Sequence, residues 1–384
     1  KFDAKVLNKL LQVPQHKTNV IVSSWSITSV LSLLAQGADK NTKKQIVQGL
    51  EYGDYPVSPN DVLELGYATT TQDLMSSVAS NENITLDLAN RMYVSNHFEL
   101  AQQLSQVAKQ YYGSEPESVD FAMSDAVAKK INSWVEQKTR DRIKDLVSPS
   151  QLGELTRLVL VNAVYFKGKW EIQFDKKMTY PAPFYTTESD QTQVQMMNIP
   201  KSKFVMGNID ALSAIGCELP YQSEVMSMVL LLPQERFGLA QVEQKLLETD
   251  LATAWQSAGL RKQEIALQLP RFRVESTIDL KPVLKQLGMV DMLDMNAADL
   301  SKLASPYAVV KEQLYVSEVF QKAFIEVNEI GAEAAAATAA IVMTRAAPVR
   351  RPTVFRCDQP FLYFIRHNPT GLILFSGKVG RPQE

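Results

Sequence analysis

Apolar residues at helical spacing dominate the first third of the chain. Several segments repeat them at intervals of three and four, which predicts amphipathic helices with one buried face. These segments cover residues 2 to 11, 26 to 36, 102 to 112 and 126 to 143. A further pattern, Thr42-Lys-Lys-Gln45, indicates a capping box in which Thr42 begins a helix.

Strand patterns are concentrated in the rest of the chain. The continuous apolar run from 158 to 166, interrupted only by Asn162, predicts a strand that is covered on both faces. Residues 84 to 88 and 265 to 269 alternate and predict half-buried strands. Near the end, two apolar runs flank Asn368-Pro-Thr-Gly371, which indicates a hairpin. Because the predicted helices come first along the chain and the strands follow, the sequence predicts a mixed α+β class.

Composition limits the classes of function. The 384 residues include 40 Lys+Arg and 42 Asp+Glu, and this balance argues against nucleic acid as a partner. No apolar run approaches the roughly 20 residues that cross a bilayer, so we expect no membrane partner. The chain opens without a signal peptide, which suggests a cytoplasmic protein or a trimmed mature form. A sequon at Asn83 is a possible glycosylation site if the chain is secreted.

The residues available for catalysis are few. The three histidines, His16, His97 and His367, lack metal-ligand spacing. Cys217 and Cys357 could form a single disulfide, remain as buried thiols or include one reactive thiol. We find no nucleophile elbow and no phosphate-binding glycine loop. We therefore expect a protein that is not an enzyme and that carries no metal or cofactor.

An alanine-rich segment near the C-terminus is the most unusual part of the sequence. It reads Glu329-Ile-Gly-Ala-Glu-Ala-Ala-Ala-Ala-Thr-Ala-Ala340. Alanine propensity alone predicts a helix there. However, the segment has no large apolar stripe at helical spacing, and it continues through Arg345 to Pro352 with prolines and arginines that are typical of an exposed loop.

This segment resembles the hinge of inhibitory serpins, which reads Glu, any residue, Gly, a small residue, Glu, four alanines and Thr. Other stretches are similar to serpin motifs, in the same order and over almost the whole chain. They are Asn19-Val-Ile-Val-Ser-Ser-Trp-Ser-Ile27, Asn132-x-Trp-Val135 with Thr139 and Ile143, Asn162-Ala-Val-Tyr-Phe-Lys-Gly-Lys-Trp170, Pro360-Phe361 and Gly377-Lys-Val379. The resemblance implies a single serpin domain over residues 1–384, with three β-sheets, eight or nine helices and a reactive loop at about 329–352.

The resemblance also implies a mechanism. A protease cuts the reactive loop and forms an acyl-enzyme, and the freed loop then inserts into the main sheet as a new strand. The hinge would comprise Glu329, Gly331, Ala332, Glu333, Ala334, Ala335, Ala336, Ala337 and Thr338. Because side chains alternate along a strand, Ala332, Ala334, Ala336 and Thr338 would face the interior. Gly331 would supply backbone freedom.

The family's spacing between the hinge and the cut places the reactive bond at Arg345–Ala346. An arginine before the cut fits a protease of trypsin-like specificity. We call the residue before the cut the bait residue. Alternatively, Arg350 or Arg351 is the bait, or Arg345 is only a solvated charge. We expect a secreted monomer that regulates a proteolytic cascade such as clotting or innate immunity. The alternative is a non-inhibitory serpin that acts as a carrier or chaperone.

Two further groups follow from the resemblance. A polar group that governs sheet opening would contain Ser23, Ser26, Asn162, Trp170 and Gln321. Gln321 stands where the family usually has His, and its amide can both donate and accept, so we expect it to bridge Ser23 and Asn162 without a titratable charge.

A heparin-like glycosaminoglycan is the other possible partner. The region from 61 to 80, which corresponds to the usual heparin-binding helix, contains no Lys or Arg. A denser basic group occurs later and is either a polyanion site or a solvated helix face. It consists of Lys129, Lys130, Lys138, Arg140, Arg142 and Lys144.

Overall fold

The computed structural model describes residues 1–52, 67–79, 81–222, 224–305, 312–331 and 352–383. Nine α-helices lie in these ranges. They are α1 (Phe2–Leu11), α2 (Ser24–Gly37), α3 (Lys40–Gly49), α4 (Tyr67–Ala79), α5 (Gln102–Tyr112), α6 (Ser124–Lys138), α7 (Leu239–Glu248), α8 (Leu251–Ser257) and α9 (Lys281–Gln286).

Fourteen strands accompany the helices in the same ranges. They are β1 (Asn19–Val22), β2 (Ile84–Ser95), β3 (Glu117–Val119), β4 (Leu158–Gly168), β5 (Tyr180–Tyr185), β6 (Gln191–Ile209), β7 (Ala214–Pro220), β8 (Met226–Pro233), β9 (Arg261–Pro270), β10 (Phe272–Asp279), β11 (Val316–Val327), β12 (Thr353–Arg356), β13 (Phe361–His367) and β14 (Ile373–Val379). The α+β class and the predicted hairpin, now β13 and β14, are therefore confirmed.

Two hydrogen-bonded sheets contain these strands. The five-stranded sheet has the order β10-β11-β4-β2-β3, and the other runs β1-β14-β13-β8-β7-β6-β9-β12 with β5 beside β6. The long strand β6 has a register shift between Ile199 and Ser202. Such an irregularity bends a strand locally, but β6 and β9 remain paired on both sides of it. The three sheets expected are therefore present in the described residues as two hydrogen-bonded networks, one of nine strands and one of five.

The centre of the five-stranded sheet is a parallel pair. β11 lies beside β4 with Gln321 opposite Asn162 and Phe324 opposite Tyr165. We call the line between these two strands the seam. β10 and β2 flank the pair in antiparallel orientation, so the seam is where two antiparallel halves of the sheet meet.

The faces of this sheet explain the continuous apolar run in β4. Val164 and Phe166 pack into a core shared with the nine-stranded sheet, whereas Val161 and Ala163 pack beneath α6. Both faces are therefore buried, as the uninterrupted pattern predicts.

Two local predictions were wrong. The helix predicted over 126 to 143 ends at Lys138, because the chain turns through positive φ angles at Arg140 and Asp141. The capping box at Thr42 does not form either. α3 begins earlier, at Lys40, and the Thr42 hydroxyl instead accepts a hydrogen bond from the Asp299 amide at 2.9 Å.

Candidate functional site

A buried polar cluster spans the seam beneath α2. The Gln321 amide nitrogen donates to the Ser23 carbonyl at 3.0 Å and to Asn162 Oδ1 at 2.5 Å. Its Oε1 accepts from the Ser23 amide at 3.0 Å. Gln321 is fully buried, and these three bonds satisfy both of its amide protons and one lone pair of its oxygen. Gln321 therefore joins β11 to β4 and to the start of α2.

The β4 half of the cluster is held by a second set of bonds. Asn162 Nδ2 donates to the Ser26 hydroxyl at 2.5 Å and to Asn90 Oδ1 at 2.7 Å. The Ser26 hydroxyl in turn donates to Asn90 at 2.9 Å. The structure thus brings together four of the residues expected in the sheet-opening group and adds Asn90 from β2. The cluster contains no ionisable side chain.

A second cluster lies where β11 ends. Glu329 is only 2% exposed, and one of its carboxylate oxygens accepts from Arg271 Nε at 2.8 Å and from the Thr179 hydroxyl at 2.6 Å. Burial alone would raise the pKa of this carboxyl, but the bonds from Arg271 and Thr179 outweigh it and hold the pKa below its usual value of 4.5. Glu329 is therefore held as a carboxylate.

The chain reverses direction immediately after β11. The Asn328 amide donates to the Gly331 carbonyl at 2.9 Å, and the Gly331 amide donates back at 3.2 Å. Gly331 also forms an antiparallel bridge with Lys169, at the end of β4. Its φ is +135°, and a Cβ there would lie 2.0 Å from the Gly168 carbonyl oxygen. Glycine is therefore required by close backbone contact as well as by conformation.

Trp170 holds this reversal against the body of the protein. Its indole nitrogen donates to the Asn328 carbonyl at 2.9 Å, and its backbone amide donates to Ile330 at the same distance. The ring stacks on Tyr221 with centroids 4.5 Å apart. Trp170 therefore contacts the turn at Asn328–Gly331. It is not part of the Gln321 cluster, in which the resemblance to serpins placed it.

The bait and most of the hinge lie outside the described residues. These positions are Ala332, Glu333, Ala334, Ala335, Ala336, Ala337, Thr338, Arg345 and Ala346, together with the alternatives Arg350 and Arg351. The flanking segments are described on both sides, with Gly331 beside β4 and β12 parallel to β9.

The remaining candidate residues occupy ordinary structural positions. Cys217 and Cys357 are free and fully buried, and burial raises the pKa of both thiols. Asn83 is half-buried in the turn before β2, where its carbonyl accepts from the Lys169 amide. Among the described residues, no group of three or more His, Cys, Asp or Glu could hold a metal ion. None of the helices in the described ranges combines the length and apolar character needed to span a membrane.

Three of the six residues in the basic group on and after α6 are paired with acids. Lys130 contacts Glu117, Arg140 pairs with Asp87 and Lys144 with Glu136. Its net positive charge is therefore smaller than the sequence suggests.

Sequence reasoning missed Arg271, Thr179, Asn328 and Asn90. No local pattern marks Arg271 and Thr179, because their shared partner, Glu329, lies far away in the chain. Asn90 stands between Ala89 and Arg91 in β2, so the local pattern does not mark it either.

Comparison with known proteins identifies the family. The family model described as Serpin (serine protease inhibitor) matches residues 1–382. The chain is 34% identical to Serpin B10 of Homo sapiens, over 99% of this chain and 98% of that protein. The chain belongs to the serpin family, and the expected serpin fold is confirmed.

Solved structures agree with this assignment. Serpin48 of the insect Tenebrio molitor has a TM-score of 0.86 and 33% identity, covering 100% of this chain and 96% of that one. Native protease nexin-1, solved with heparin, has a TM-score of 0.82 and 33% identity, covering 99% and 97%.

Proposed function

We propose that this serpin is inhibitory and traps a trypsin-like serine protease that cleaves the Arg345–Ala346 bond. In this mechanism the protease forms an acyl-enzyme, and the cleaved loop inserts between β11 and β4 before the ester is hydrolysed. The protein acts once, as a monomeric suicide substrate in a single domain over residues 1–384, and not as an enzyme.

The observation that carries this proposal is the turn at the end of the seam. Because the chain reverses at Asn328–Gly331, a strand that continues from Gly331 runs antiparallel to β11. β4 is parallel to β11, so the same strand also runs antiparallel to β4. A strand inserted there would convert the one parallel contact between the two halves of the sheet into two antiparallel contacts.

The loop composition supports inhibition over the alternative of a carrier or chaperone. The interior-facing positions, Ala332, Ala334, Ala336 and Thr338, carry small side chains that need no charge to be desolvated. The Glu333 side chain would point to the opposite face of the inserted strand, where it would contact solvent or α6.

The test is incubation with trypsin followed by a denaturing gel and mass measurement of the released C-terminal peptide. We expect an SDS-stable complex and a peptide that begins at Ala346. Arg345→Gln should abolish the complex, and the matched control Arg350→Gln should retain it. Cleavage without a complex would favour the non-inhibitory alternative, and a peptide beginning at residue 351 or 352 would reassign the bait.

The biological setting belongs to the same proposal. We propose that the protein is secreted, carries a glycan at Asn83 and restrains an Arg-specific protease in a cascade such as clotting or innate immunity. Treatment of the natural protein with a peptide N-glycosidase should lower its mass, and Asn83→Gln should remove the shift. An unshifted mass in the protein from culture medium would refute the glycan.

A polyanion is a secondary partner in this proposal. Protease nexin-1 was solved with heparin, and here Lys129 and Lys138 are exposed basic residues of α6. We expect salt-sensitive but weak retention on heparin resin, since the neighbouring basic residues are paired. Lys129→Glu should reduce that retention, and retention that is insensitive to salt would contradict the assignment.

A further inference from the structure

One edge of β2 has no strand beside it. β2 pairs with β4 along its length from Ile84 to Val94, but β3 joins the other edge only at Tyr93 to Ser95. Within the described ranges, no strand covers that edge from 84 to 92. An open edge is a template for pairing with another extended chain.

Backbone alternation shows which groups point out of this edge. The Asn83 carbonyl accepts from Lys169 on the β4 side, and the Asn90 carbonyl accepts from the Ser114 hydroxyl on the open side. Odd residues therefore direct their backbone toward β4 and even residues direct theirs outward, because the pairing register is continuous. The amides and carbonyls of Leu86 and Leu88 consequently face outward.

These groups face a cavity of about 990 Å³. It lies between β2, α4, the end of α5 and α6. Several donors in its surroundings are buried and lack an acceptor among the described residues. They are the Thr71 hydroxyl, Arg91 Nε and Trp134 Nε1. These atoms are sealed within the cavity wall, so the hydrogen bonds to an added strand would come from the β2 edge rather than from them.

The two faces of β2 would accept different side chains from a bound strand. On the inner face, Leu86 and Leu88 adjoin the main core, and Met75 of α4 lines the same cavity. On the outer face, Arg91 stacks over Trp134 at 4.2 Å. Lys138 also lines the cavity and has no carboxylate partner in the part of the chain that the structure describes.

We propose that the open edge of β2 binds a short extended peptide as an added strand, with apolar side chains toward Leu86 and Leu88 and an acidic side chain toward Lys138. The Leu86 and Leu88 backbones would supply the main-chain hydrogen bonds, which is the usual basis of strand addition. This site shares no residue with the reactive loop, so the proposal does not rest on protease inhibition.

The test uses the intact protein, without protease, and a fluorescein-labelled Thr-Val-Glu-Val-Thr-amide peptide followed by fluorescence anisotropy. We expect saturable binding. A peptide with Lys in place of Glu should bind more weakly, and one with Pro in place of the second Val should lose binding, since proline lacks the amide that pairs. Hydrogen exchange at Leu86 and Leu88 should slow on binding.

Matched protein variants locate the site. Lys138→Glu should weaken binding about fivefold, as expected for one exposed charge, and Lys129→Glu on the same helix should not change it. Absence of saturable binding would overturn the proposal. Equal binding of the proline peptide, equal effects of the two variants, or unchanged exchange at Leu86 and Leu88 would also overturn it.

Discussion

Replacing Gln321 with Met tests whether the seam cluster stabilises the native sheet. The two side chains are similar in length, but Met cannot make the three amide bonds. The Ser23 amide and Asn162 Oδ1 would lose their partners, whereas the Ser23 carbonyl would still accept from Ile27. Two unpaired buried groups at roughly 1–3 kcal/mol each predict a loss of about 2–6 kcal/mol in the free energy of unfolding.

The assay is urea unfolding followed by tryptophan fluorescence, with native gels to detect polymers on mild heating. Gln268→Met is the matched control, because Gln268 Oε1 is buried and already lacks a partner. We expect the control to change stability by less than about 1 kcal/mol. A loss for Gln321→Met no larger than that of the control would refute the role given to the cluster.

The same position predicts a difference in pH dependence. Gln321→His would place a buried imidazole in the cluster, and burial lowers the pKa of a histidine below that of the unfolded chain. Stability contributed by the neutral form is then present above pH 6.5 and is lost as pH falls from 6.5 toward the folded pKa. We expect acid to accelerate polymerisation more in this variant than in the natural protein. Identical pH profiles would show that the cluster does not govern sheet opening.

Three other predictions concern the proposed loop insertion and two buried ionisable residues. Ala336→Arg should turn the proposed inhibitor into a substrate that is cleaved without complex formation, because insertion would bury an unpaired charge. The control variant Glu333→Arg should still form the complex. If both variants behaved alike in gel assays with trypsin, this prediction would be contradicted. Glu329 has a lowered pKa, so its stabilisation is present above pH 4.5 and is lost as pH falls through the folded value. Glu329→Gln should remove that part of the acid dependence in unfolding titrations, and an unchanged pH profile would exclude it. Burial lowers the pKa of His367, although Asp73 opposes this. His367→Gln should therefore lessen the loss of stability as pH falls below 6.5, and an equal loss in both proteins would count against the buried histidine.

The elements were largely predictable from periodicity. α5 begins and ends at the predicted residues, and β4 extends only two residues beyond its apolar run. These predictions succeed because the spacing of apolar residues along the chain directly reflects which faces of an element are buried. The Thr42 capping box failed because a distant group, the Asp299 amide, takes the hydroxyl.

The site was predictable only in part. The resemblance to serpins grouped Gln321 with Ser23, Ser26 and Asn162, and the structure brings these side chains together. It could not supply the arginine that balances Glu329. That contact joins positions 58 residues apart, and nothing in the spacing around Arg271 marks it.

The bridge between Gly331 and Lys169 fixes a register as well as a direction. Each residue forward along the loop from Gly331 would match one residue backward along β4, so Thr338 would arrive opposite Asn162. Counting back along β11 from the Asn328–Gly331 pair places Thr338 opposite Gln321 as well. The two counts agree because Gln321 and Asn162 already face each other.

An inserted strand in this register would separate β11 and β4 by about one further strand spacing of 4.8 Å, which would break the 2.5 Å contact between Gln321 and Asn162. The residue delivered between them is the one threonine in a run of alanines. Its hydroxyl can donate to one amide and accept from the other. In the proposed mechanism the loop would therefore carry a replacement for the bond that its own insertion breaks, and the turn at Gly331 would determine where that replacement arrives.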